Sequence, residues 1–295
     1  MRYAKHLPFL LALLVVFIWG ETFVSSKILL TEGLMPADIF LYRFTIAYAG
    51  MVIISHRRMW AKNIKHELMM MATGVTGGSM YFLTENMALK YSTASNVAII
   101  VGITPLMTAL LLALFYKDER MNRRQIMASM IAFLGLVLVV LNGQLILHLN
   151  PIGDALAFSA AVSWGLYSLL MKPLTNQYEP SFLTRKVFAY GLITIIPWFL
   201  LVQPLNANLS LLTHPTVWMN LLWLSLVASL TCFLMWNWVL PRLGIVKATN
   251  VVYLQSIFTM LVSFLILNER ITWMAIVGTL TLIGGMYLIN KFEKK

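Results

Sequence analysis

Charge and cysteine are both scarce in this chain. Of its 295 residues only 11% are charged and 60% are apolar, against roughly 25% and 45–50% in soluble domains, which excludes a water-soluble globule. The one cysteine, Cys232, sits in an apolar run, so there is no disulfide framework. No H-E-x-x-H, G-x-S-x-G, Walker A or dinucleotide fingerprint occurs. The five histidines, His6, His56, His66, His148 and His214, fall in loops or at their edges, so no metal cluster is expected within the apolar segments. Together these absences argue against an enzyme, a resident metal or cofactor, and self-contained ATP-driven pumping.

What fills the chain is apolar sequence. Stretches bounded by polar or Pro/Gly-containing turns fall near 7–29, 36–55, 67–89, 93–116, 124–141, 152–171, 181–202, 217–240, 246–267 and 272–290. A helix needs about 20 residues to cross ~30 Å of hydrocarbon, so the pattern predicts ten transmembrane helices, the first retained, with little left for a soluble domain. Basic residues give an independent check, because Lys and Arg of short loops collect on the cytoplasmic side. With the N-terminus inside, 18 of the 22 basic residues fall in cytoplasmic segments, and Lys27, Arg43, Lys90 and Arg270 are the exceptions. Both termini are therefore expected to be cytoplasmic. The net charge of +11 records topology and needs no nucleic-acid partner.

The chain also repeats itself. Trp19-Gly20 with Lys27 recurs as Trp164-Gly165 with Lys172, and Lys117-Asp118-Glu119-Arg120 recurs as Leu267-Asn268-Glu269-Arg270. This predicts two five-helix halves, residues 1–145 and 146–295. Five is odd, so the second half enters from the opposite face and the repeats are inverted, as in carriers that alternate access around a midplane site.

On these residues the sequence resembles the EamA type of the drug/metabolite transporter superfamily. The resemblance is carried by Trp19-Gly20-x-x-Phe23, Pro36, Arg43-Phe44, Asn86-x-Ala88-Leu89-x-Tyr91, Pro105, Glu119-Arg120 and Gly135 in the first half. In the second it is carried by Gly153-Asp154-x-Leu156, Trp164-Gly165, Arg242-Leu243, Glu269-Arg270, Gly278 and Gly284-Gly285. It implies an all-α polytopic membrane protein of ten helices in two inverted five-helix repeats. Two positions depart from the pattern. Gln255 stands where the first half has Pro105, and is expected to keep the helical hydrogen-bond ladder that proline would break. Glu85 is an acid where such helices more often carry a neutral polar group.

Candidate site residues follow from depth, because a charge in hydrocarbon costs at least ~2.5 kcal/mol and is seldom idle. Glu21 lies midway through the first helix, Arg43 reaches a similar depth in the second, and Glu85 lies in the outer third of the third. Glu21 and Arg43 are read either as lining a central cavity, where they bind a zwitterion or couple protons, or as a structural ion pair. The resemblance slightly favours Glu21 as a coupling carboxylate. Gly74, Gly78, Tyr81 and Glu85 form one helical stripe, its glycines read as packing. Trp164, Tyr167, Trp236 and Tyr253 are deep aromatics able to stack on a flat or cationic substrate. Asn96, Asn237, Asn250 and Gln255 are intramembrane amides that demand partners.

The expected function is a secondary transporter of the cytoplasmic membrane. It would export or exchange a small metabolite, an amino acid or related amphipathic compound, by alternating access, with proton coupling as an addition. Its partners would be the bilayer, the substrate and protons. The competing readings are a carrier of phosphorylated or nucleotide-linked metabolites and a non-transporting membrane scaffold or sensor.

Overall fold

Helix boundaries follow local chemistry. The computed structural model describes residues 6–56, 59–92, 94–117, 120–141, 150–205, 209–258, 260–261 and 271–292. Helix α1 (Leu7–Thr31) ends in a Schellman turn, with Gly33 at φ 103° and hydrogen bonds from Gly33 N to Leu30 O and from Leu34 N to Leu29 O. Two residues later Pro36 opens α2 (Pro36–Ile54), where the Asp38 carboxylate accepts from Met35 N. Asn63 caps α3 (Ile64–Gly74) by accepting from His66 N. Asn150 likewise caps α8 (Pro151–Thr175) through Gly153 N.

The third apolar stretch is one helical run over 64–91. Its α3 passes through a π-helical segment, Val75–Ser79, into α4 (Met80–Tyr91). The fourth is broken at Gly102 and Ile103, just ahead of Pro105, into α5 (Ala94–Val101) and α6 (Thr104–Phe115). Then come α7 (Arg123–Leu141), α8, α9 (Pro180–Leu201) and α10 (Pro215–Leu222). A second π-helical segment, Trp223–Thr231, joins α10 to α11 (Cys232–Leu243). Gly244 at φ 86° turns the chain into α12 (Ile245–Val251), and α13 (Trp273–Lys291) closes the described residues. Gln255 does not keep a continuous ladder as expected. A 3-10 turn over Val252–Leu254 interrupts the helix just before it, without a proline.

Among the described residues there is no strand, and seven helices are long and apolar enough to cross a membrane. They are Leu7–Thr31, Pro36–Ile54, Asn96–Phe115, Arg123–Leu141, Pro151–Thr175, Pro180–Leu201 and Pro215–Leu243. The 64–91 run is interrupted by Glu67, Glu85 and a cluster of glycines. Asp118, Glu119, the segment Leu267 to Arg270, the division at 145, His148 and the charges Arg2, Lys5, Arg57, Arg58, Lys294 and Lys295 lie outside the described residues.

Close packing is set by small residues. Helix α8 packs against α3, α4, α5 and α6, while α9 lies on α2 and α3 and α1 on α11. A Cβ on Gly74 would stand 2.4 Å from Tyr190 Cβ, and one on Gly78 would stand 3.3 Å from Gly191 Cα, so these two glycines are where α3 and the π segment touch α9. Helices α7 and α13 meet along Gly135, Gly278 and Gly285, where a Cβ would reach within 2.3–2.7 Å of the facing backbone. At another corner Lys27 Nζ does not snorkel out. It donates to Leu89 O at 2.6 Å and so caps the end of α4.

Candidate functional site

The centre of the bundle is aromatic. Trp19 of α1 meets Trp164 of α8 edge-on with ring centroids 5.3 Å apart, and Tyr81 and Phe233 close on the same Trp164 at 5.0 and 5.8 Å. These rings wall a cavity of about 40 Å³. Its polar lining consists of Thr22, Arg43, Tyr81, Glu85, Thr104 and Gln255, with Phe82, Val101 and Val252 completing the wall. Such a volume holds water but is far below the ~300–1,000 Å³ of small-molecule sites.

Arg43 and Glu85 supply the charge, and both are buried, at 2% and 4% exposure. Each is held by a neutral neighbour. Arg43 Nε donates to Ser229 Oγ in the second π segment, and its guanidinium carbon lies 4.4 Å from the centre of the Phe82 ring. Glu85 Oε1 accepts from Tyr81 Oη at 2.8 Å, one helical turn away. No nitrogen–oxygen contact within 4.0 Å joins Arg43 to Glu85. The cavity therefore holds a guanidinium and a carboxyl group that do not close on each other.

The predicted residues separate into two groups. Arg43, Tyr81, Glu85, Trp164 and Gln255 come together at the cavity, where Gln255 Nε2 also donates to Trp19 O at 3.0 Å. Glu21 does not join them, so it neither lines the cavity nor forms the alternative ion pair with Arg43. Successive helical residues turn by about 100°, so with Trp19 and Thr22 facing the cavity Glu21 points away, half-buried. Tyr167 lies beneath the cavity and donates to Asn237 Oδ1 at 2.6 Å, while Asn237 Nδ2 donates to Thr184 Oγ1 at 2.9 Å. Trp236 is fully buried behind Trp19, their rings 5.1 Å apart. Tyr253 and Asn250 are buried in helix packing, and Asn96 donates to Asp154 and Ser92 at the end of α4.

Ser229, Phe82, Phe233, Thr22 and Thr104 join the site without being candidates in the sequence, where Trp19 marks only the repeat. The matching of Trp19 with Trp164 across the halves was an available signal for Trp19. A serine on an apolar helix carries none.

A multi-helix membrane bundle enclosing a small aromatic-walled cavity with two ionisable groups, between helices from both parts of the chain, fits a carrier architecture. The family model described as the EamA-like transporter family matches residues 6–141 and 151–291, and the chain belongs to that family. It is similar to a protein of Streptantibioticus cattleyicolor named a probable terminal-alkyne amino-acid exporter, at 27% identity over 94% of this chain and 91% of that one. It is also similar to a probable amino-acid metabolite efflux pump of Escherichia coli, at 24% identity over 96% and 94%. A solved crystal structure superimposes with a TM-score of 0.75 at 15% identity, covering 99% of each chain, which shows the fold. The protein is a multi-pass membrane transporter.

Proposed function

We propose that this transporter is a secondary carrier of the cytoplasmic membrane that exports or exchanges amino acids or related amphipathic compounds by alternating access. The observation that carries the reading is the aromatic-walled cavity in which Arg43 and Glu85 face substrate space without pairing. Arg43 offers a carboxylate a planar, forked donor, and the rings accept an apolar body. The printed names of the two relatives support the substrate class. A phosphorylated or nucleotide-linked substrate is disfavoured, because the one arginine of the lining has a glutamate beside it. Two buried ionisable groups left open to a cavity favour a binding role over a scaffold.

In this reading the ten apolar stretches cross the bilayer as two inverted five-helix halves, 1–145 and 146–295, with both termini in the cytoplasm. The two stretches matched by the family model and the distribution of basic residues support that arrangement. Proton exchange supplies the driving force, without any further cofactor.

The test is exchange of a radiolabelled amino acid such as phenylalanine in proteoliposomes, with variants compared at equal membrane abundance. Arg43→Ala is expected to abolish exchange, and Glu21→Gln, off the cavity, to retain at least about half of it. Loss of pH-gradient-driven export alone in Glu21→Gln assigns coupling to Glu21. Full exchange by Arg43→Ala overturns the proposed site.

A further inference from the structure

The two charges of the cavity are only partly used. Arg43 commits Nε to Ser229 and one face to Phe82, so its two terminal nitrogens make no hydrogen bond among the described residues. Glu85 receives one donor on Oε1 from Tyr81, and Oε2 receives none. A pair that served only to fasten helices would close on itself, as Lys186 and Glu67 do elsewhere in this protein. Held apart, the two groups attract across the cavity but lack the direct contact and further hydrogen bonds that would offset their desolvation. A molecule carrying both charges would offset that cost by lying between them.

We propose that Glu85 is the specificity-determining residue that selects for the ammonium group of a zwitterionic substrate. The assignment rests on the amino-acid reading above. Arg43 holds the carboxylate, Oε2 of Glu85 receives the ammonium, and Trp19, Trp164 and Phe233 enclose the apolar part. Charge arithmetic gives the selectivity. When Arg43 and Glu85 are both ionised the empty site is neutral, and a zwitterion leaves it neutral. A simple carboxylate would add an uncompensated negative charge beside Glu85 in a site shielded from water, and a simple amine an uncompensated positive charge beside Arg43. Glu85 thus excludes carboxylates that lack an amine.

Removing this one charge should therefore exchange one substrate class for another. Glu85→Gln preserves the side-chain volume and an oxygen able to accept from Tyr81. Three probes share the same ring: L-phenylalanine, 3-phenylpropionate and 2-phenylethylamine. Their affinities are read from quenching of tryptophan fluorescence in the purified full-length protein, and rank order within one preparation is independent of the fraction folded. Wild type is expected to prefer phenylalanine. In Glu85→Gln phenylalanine should weaken about 10–100-fold, the worth of a hydrogen bond to a charged group, while phenylpropionate strengthens and overtakes it. Arg43→Gln should give the mirror image, with phenylethylamine overtaking. Equal weakening of all three probes by Glu85→Gln, or an unchanged rank order, overturns the assignment while leaving the amino-acid reading intact. Wild type that takes none of the three overturns both.

Discussion

Lys186 shows how a single charge can serve structure. It sits in the first turns of α9, among the basic residues counted as cytoplasmic, and it is 7% exposed and pairs with Glu67 of α3. Glu67 also accepts from Tyr190 Oη and from Ala61 N, so its carboxylate ties together α3, α9 and the segment before α3. Breaking the pair leaves half-buried Glu67 without its counter-charge but with its other two donors, at a cost of about 1–3 kcal/mol. Lys186→Met should accordingly lower the melting temperature of the purified protein markedly. The double variant Lys186→Met with Glu67→Gln should recover part of the loss, because no charge is then stranded. Equal melting of the single and double variants would deny the coupling. By the same comparison, the closed Lys186–Glu67 pair sets off the open arrangement of Arg43 and Glu85, on which the proposed substrate site rests.

At the level of elements, the two π-helical segments are the feature that periodicity could not reveal. A π turn takes in about one extra residue, which changes neither composition nor hydropathy, and so the 67–89 and 217–240 stretches read as ordinary helices. Its consequence is azimuthal. Gly74, Gly78, Tyr81 and Glu85 read as one stripe, but the structure sends the two glycines toward α9 and Tyr81 and Glu85 toward the cavity. Both segments carry carbonyls bonded from other helices. Ser163 Oγ donates to Thr76 O at 2.7 Å, and Trp19 Nε1 donates to Ala228 O at 3.0 Å. Gly77 makes room for Tyr167, since a Cβ there would stand 2.3 Å from the Tyr167 ring. Gly77→Ala should therefore displace Tyr167 from Asn237 and destabilise the protein by about 1–3 kcal/mol. Gly284→Ala, where a Cβ would meet nothing within 4 Å, should leave thermal stability unchanged.

For the whole molecule, membrane class and family were legible because they rest on composition, apolar run length and motif order, which need no knowledge of facing. The site was legible only in part, because depth along a helix can be counted but direction around it cannot when the helix is apolar on all sides. Glu21 and Arg43 share a depth, and only the fold turns one to the cavity and the other away. The same fold raises a question of volume, since about 40 Å³ holds no amino acid and the walls must part for a substrate to enter. Cys232 can report that motion, as the one cysteine of the chain. It is fully buried, on α11 beside the cavity-lining Phe233 and three residues after the Ser229 that holds Arg43. A state that never opened would keep this thiol from water indefinitely. A small charged methanethiosulfonate reagent should therefore label Cys232 slowly in proteoliposomes, and saturating phenylalanine should change that rate several-fold by shifting the population of open forms. Mass spectrometry of the intact protein measures the rate, and labelling that appears only after denaturation would mean that the cavity stays closed.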